Sequence, residues 1–264
     1  MPSRFVAESR VADLPTSRDD APASSVRASR GVAPFPMPPE LQPWFAAALA
    51  LLDVRRQDRL LAIDVDAEHA RTLATLVGSR GELVLVLPDR QRAERIAALA
   101  LPQVTVLAHR LTGDERFGTF DALLLAPTYG PLLPTGCYAD LVRSNLRPGG
   151  RFVVDLPGAD MIPDLRAAAL DLRWPEARLA ALSGIADDVL ADVLRGGGLR
   201  EVSGVVGAHL VNVTTPGDLV GACSDALDLG DDDRLQLTHA LVRRRGTTGP
   251  IDALLHRTRL LGRR

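Results

Sequence analysis

From Pro39 onward two kinds of apolar pattern alternate along the chain. The first is the short continuous run. Glu82–Leu87 (ELVLVL), Gln103–Ala108 (QVTVLA), Asp121–Leu125 and Arg151–Asp155 (RFVVD) are of this kind, and Leu60–Ile63 is a shorter one. Runs that do not alternate with polar residues suit strands buried on both faces. The second kind recurs at helical spacing. Glu40–Val54 puts Leu41, Trp44, Phe45, Ala48, Leu51 and Leu52 on one face. Ala67–Val77 stops at Gly78, Arg90–Ala100 is amphipathic, and Tyr138–Leu146 stops at Pro148-Gly149-Gly150. Buried strands alternating with short helices predict an α/β fold, Rossmann-like and doubly wound, with a mostly parallel sheet and helices on both faces.

The second half is less regular. Ile162–Leu172 and Ala186–Arg195 read as helices, the latter ending at Gly196-Gly197-Gly198. Leu199–Val206 has strand character. Thr215-Pro216-Gly217-Asp218 has the form of a helix start, with Thr215 as the cap and Pro216 at the first helical position. Asp232–Arg244 is a further helix, and Leu254–Gly262 a last strand.

Residues 1–38 differ in texture, being rich in Ala, Ser, Arg and Pro without a periodic apolar pattern. Such a segment buries too little apolar surface to offset the cost of ordering it, and a flexible tail is expected. A partner-binding arm is the alternative. The division expected is therefore a tail over 1–38 and one domain over 39–264, with a cofactor-fold half over 39–158 and a C-terminal half over 159–264.

Composition narrows the functions. The 264 residues carry a net charge of −2, which gives no ground for a nucleic-acid or membrane-surface partner. All 31 basic residues are arginine, so no lysine can act as a base or form a Schiff base. Cys137 and Cys223 stand apart from each other and from any paired histidine, so neither a disulfide framework nor a zinc site is indicated. The N-terminus has charges and no apolar core of a signal, and no uncharged apolar run reaches about 18 residues. The expected location is the cytoplasm.

Two clusters could carry chemistry. Asp64, Asp66, Glu68 and His69 lie at a strand-to-helix turn. Their oxygens would suit Mg²⁺ or Ca²⁺; alternatively Asp66 caps the helix and Glu68 favours its positive end. His109 and Arg110 follow a strand and could hold an anion at the carboxyl edge of the sheet, or form a solvated loop pair.

The order of the elements resembles that of class I S-adenosylmethionine (SAM) methyltransferases of the small-molecule type, over roughly Glu40–Arg264. Asn145-Leu146-Arg147-Pro148-Gly149-Gly150-Arg151-Phe152-Val153-Val154 is similar to the family's Pro-Gly-Gly turn before the fifth strand. Gly118-Thr119-Phe120-Asp121-Ala122-Leu123-Leu124-Leu125 resembles the approach to the fourth, and Thr258–Arg264 resembles the terminal strand. The resemblance implies the class I methyltransferase fold, with seven strands of which the last is antiparallel.

The positions that the resemblance assigns to the cofactor have changed. In Leu61-Ala62-Ile63-Asp64-Val65-Asp66-Ala67-Glu68 the leading acid of the glycine loop becomes Ala62, and the glycine positions hold Asp64, Asp66 and Glu68. Carboxylates there would crowd SAM and repel its own carboxylate. The acid that would hold the ribose becomes Leu87, with Asp89 two residues on as a substitute, and His109 and Arg110 stand near the adenine position. Pro127, Thr128 and Tyr129 would face the substrate. Cofactor motifs this degenerate imply a methyltransferase-like pseudoenzyme with weakened or lost SAM binding, whose ligand is a small molecule or a protein partner and which could be a dimer. The alternative is an active enzyme using SAM in an atypical pocket. A dinucleotide-binding Rossmann protein is a third reading, weakened by the lack of Gly-x-Gly-x-x-Gly after the first strand.

Overall fold

The computed structural model describes residues 44–127 and 132–264. The tail expected over 1–38, and the calls on Thr128 and Tyr129, lie outside the described residues.

The helix expected first is present as α1 (Trp44–Leu52), with Trp44, Phe45, Ala48 and Leu52 buried. The parallel part of the sheet then builds through β1 (Arg59–Ile63), α2 (Ala67–Val77), β2 (Glu82–Leu87), α3 (Arg90–Ala97), β3 (Val104–Ala108), β4 (Phe120–Leu125), α4 (Tyr138–Asn145) and β5 (Leu146–Pro157). The C-terminal part adds α5 (Pro163–Asp171), α6 (Asp187–Gly196), β6 (Arg200–Val213), α7 (Pro216–Cys223), α8 (Asp231–Arg245) and β7 (Ile251–Arg263). The sheet has seven strands in the order β3-β2-β1-β4-β5-β7-β6. Every pair from β3 to β5 is parallel, and β7 runs antiparallel to both β5 and β6.

The continuous apolar runs are where the sheet is covered on both sides. Leu60, Ala62, Leu83, Leu85, Leu124 and Val153 belong to one buried cluster, and Leu61, Ile63, Val86, Leu123, Phe152 and Val154 to the other. The period-two alternation of side chains thus divides each strand between two cores, both helix-covered. Gly149, inside the irregular first part of β5, has φ +76°, a conformation glycine adopts without steric cost.

Three strands are much longer than the sequence pattern indicates, and β5 takes in residues 146–150 ahead of the expected Arg151–Asp155 and runs on to Pro157. β6 continues past Val206 to Val213, and β7 begins at Ile251. Their pairing runs from Arg200↔Arg263 to Val213↔Ile251, whereas β5 stops pairing at Pro157↔Arg257. The β6–β7 ribbon therefore projects beyond the carboxyl end of β5. Helices α7 and α8 are inserted between its two strands and cover one face, burying Val211, Val213, Ile251, Ala253 and Leu255.

Candidate functional site

In a doubly wound sheet, ligands bind outside the carboxyl ends of the parallel strands, where the strand order reverses. Here that point lies between β1 and β4, because β1 leads outward to β2 while β4 lies on its other side. The residues following β1 therefore decide what the cleft can hold.

The loop from β1 to α2 is three residues long, Asp64-Val65-Asp66, and contains no glycine. Asp64 takes a left-handed backbone conformation, φ +58°, which costs a non-glycine residue about 1 kcal/mol. Its backbone N–H donates to the Val86 carbonyl at 2.9 Å, and its side chain is buried. The Asp64 carboxylate accepts from Arg92 Nη1 at 2.6 Å, and Arg92 Nη2 also reaches the Val65 carbonyl at 3.4 Å. Burial pushes the Asp64 carboxyl above its ordinary range, and Arg92 pulls it back. Asp66 caps α2 by accepting from the His69 N–H at 2.8 Å, and Asp89 caps α3 by accepting from the Arg92 N–H at 2.6 Å. Arg92 thus fastens the loop after β1 to the loop after β2, its backbone held by Asp89 and its guanidinium by Asp64. Glu68 lies in the first turn of α2, exposed. Leu87 ends β2 and is fully buried in the core.

A second ionic group stands at the end of β5. Asp155 is fully buried and accepts from Arg257 Nε and from Arg259 Nε, each at 2.8 Å. Arg257 also donates to the Pro127 and Asp155 carbonyls, both at 2.7 Å, and lies 4.7 Å from the centre of the Trp44 ring. Arg259 donates to the Trp44 carbonyl at 3.1 Å and stands 3.4 Å from His209 Nε2. Desolvation lowers the Arg257 pKa, and Asp155 opposes that. Next to Trp44, Phe45 stacks on His69 at 3.5 Å between ring centres. The N-terminus of α1 is therefore seated on β7 by Arg257 and Arg259, and on α2 by Phe45.

The expected site residues meet only in part. Asp64 and Asp89 converge on Arg92. His109 approaches Glu115, 3.3 Å away, and meets Phe117 edge-on, while Arg110 is exposed. Pro127 is buried and contributes its carbonyl to Arg257. Among the described residues, no group of three or more His, Cys, Asp or Glu side chains is placed to hold a metal ion. Among the same residues, no helix is long and apolar enough to cross a membrane. Asp155, Arg257 and Arg259 lie outside the site residues that the sequence indicates. Their signal in the sequence is the charged pattern His256-Arg257-Thr258-Arg259 inside a strand, facing an acid at the end of RFVVD.

The YcgJ protein of Bacillus subtilis superimposes on the chain with a TM-score of 0.59 at 13% identity, over 83% of this chain and 97% of that one. A candidate methyltransferase of Bacillus halodurans does so with a TM-score of 0.56 at 10% identity, over 83% and 97%. Together with the strand order, these decide the architecture. The chain has the class I methyltransferase fold. The same fold carries the [4+2]-cyclase SpnF, which matches with a TM-score of 0.50 at 14% identity, over 84% of this chain and 80% of that one. No protein-family model matches the sequence, and no curated protein sequence matches it either. Class I methyltransferase architecture accounts for the position of the cleft; its chemistry has to be read from the side chains in it.

Proposed function

We propose that this methyltransferase-like protein has weakened or lost SAM binding and acts by binding a small molecule or a protein partner. The observation that carries the reading is the Asp64–Arg92 ion pair, largely buried, which ties the loop after β1 to the loop after β2. SAM in the family's usual pose needs a loop whose backbone can approach it and an acceptor at the end of the second strand. The residues present do not fit it. Asp64 is engaged by Arg92, Asp66 and Asp89 are used as helix caps, and Leu87 offers the ribose no acceptor. A ligand replacing Arg92 would leave the buried Asp64 carboxylate without its counter-charge, at a cost of about 3–5 kcal/mol.

Calorimetric titration of the purified full chain with SAM and with S-adenosylhomocysteine tests this. The expected result is no heat of binding in protein shown to be folded. Micromolar affinity, about −8 kcal/mol, would overturn the reading and favour an active enzyme with an atypical pocket. That second reading has support in the fold and in the position of the cleft at the switch point of the strand order. Methyl transfer depends mainly on aligning donor and acceptor, so it does not require a dedicated base.

A further inference from the structure

At the opposite, amino-terminal edge of the sheet lies a groove of about 590 Å³ lined by Arg143, Arg200, Arg263, Arg264 and Glu201, with glycine backbone between them. We propose that it is a site for a compact phosphorylated small molecule. The register brings the charge together. Arg263 of β7 is paired with Arg200 of β6 on one side and with Arg151 of β5 on the other. Like charges directly opposite one another across strands are unfavourable, and a bound anion would offset that cost.

The acids nearby answer only part of this charge. Arg151 turns to Asp58, where both side chains are largely buried. Arg143 pairs with Asp140 at 2.7 Å and Arg263 with Glu201 at 3.1 Å, all four being about half exposed or more, so these contacts are screened by solvent. Arg264 donates to the Leu146 carbonyl, which is neutral. No hydrogen bond or ion pair holds the Arg200 guanidinium among the described residues. Glu201 is held in a left-handed conformation, φ +53°, at the irregularity where β6 joins β7, a strain of the kind that gathers at binding sites.

The space over Gly149 and Gly198 is open, since a Cβ placed on either would meet nothing within 4 Å, whereas Gly197 packs tightly against Ala139. A planar guanidinium binds phosphate oxygens in pairs, which gives Arg a geometric advantage at such a site. No aromatic side chain lines the groove among the described residues, so base stacking is not provided, and the net charge of −2 does not favour a long polyanion. A compact phosphate-bearing anion fits both facts better than a nucleic acid does.

The test uses the full chain and inorganic diphosphate at low ionic strength, followed by calorimetry. Binding tighter than about 1 mM is expected. Arg200→Ala should weaken it about tenfold, the worth of one charge-assisted contact. Glu201→Gln should strengthen it, because it removes the competing carboxylate from Arg263. Absence of binding by the unaltered chain would overturn the proposal. So would equal affinity in Arg200→Ala protein whose circular dichroism matches the parent. The groove is remote from the SAM cleft, so this result is independent of the SAM titration.

Discussion

At the scale of single residues, the molecule is organised by carboxylates that each hold more than one partner. Asp155 accepts from two buried arginines, and those arginines in turn hold α1. Asp155→Ala should therefore destabilise the protein by about 3–5 kcal/mol, since two cations would remain buried without their acceptor. Urea unfolding followed by circular dichroism would give this as a fall in midpoint. Two histidines contribute to the pH dependence, in the opposite sense to Asp64, whose carboxyl is held above its ordinary range by burial. Burial lowers the pKa of His69, against Asp66 and Glu68; burial and then Arg259 lower that of His209. Each binds its proton less tightly folded than unfolded. Between the lowered value and the ordinary 6.5, the unfolded chain holds more protons, so stability should fall as pH drops through that window. Thermal melts from pH 7.5 to 5, with His69→Asn as the flattened control, would check it. None of these long-range pairs was legible in the sequence. Asp64 and Arg92 are 28 residues apart, and Asp155 and Arg257 are 102 apart, so which charge meets which is set only by the folded sheet.

At the scale of elements, local chemistry was readable because its causes are local. α2 occupies Ala67–Val77 and ends at Gly78, as its spacing indicates, and Asp66 caps it. Thr215 caps α7, accepting from the Asp218 N–H at 3.1 Å, with Pro216 at the first helical position. Thr215→Ala should cost about 1 kcal/mol, read as a lower melting temperature with the folded spectrum unchanged. The lengths of β6 and β7 were less readable. Gly204, Gly207 and His209 interrupt the apolar pattern of β6, and only pairing with β7 extends the strand to Val213. Likewise Asp252 stands early in β7, on a face that α7 and α8 leave exposed.

At the scale of the whole molecule, the class I methyltransferase fold follows from the alternation of buried runs and amphipathic helices, a pattern that does not depend on which side chains line the cleft. The loop after β1 shows the converse. Its acids could be identified from the sequence, but two of them serve the protein itself, one as an ion pair and one as a cap. Residue type alone could not separate a ligand-binding acid from a structural one. The placement of β7 has a further consequence for how the chain reaches this state. It inserts between β5 and β6, both made earlier, with α7 and α8 intervening before it. Until it arrives, β5 and β6 each present an unpaired edge, and Asp155 lacks both of its arginines. Closing contacts of such long sequence separation is slow. In chain order β5 and β6 both precede the strand that joins them, so their pairing waits on residues 251–263.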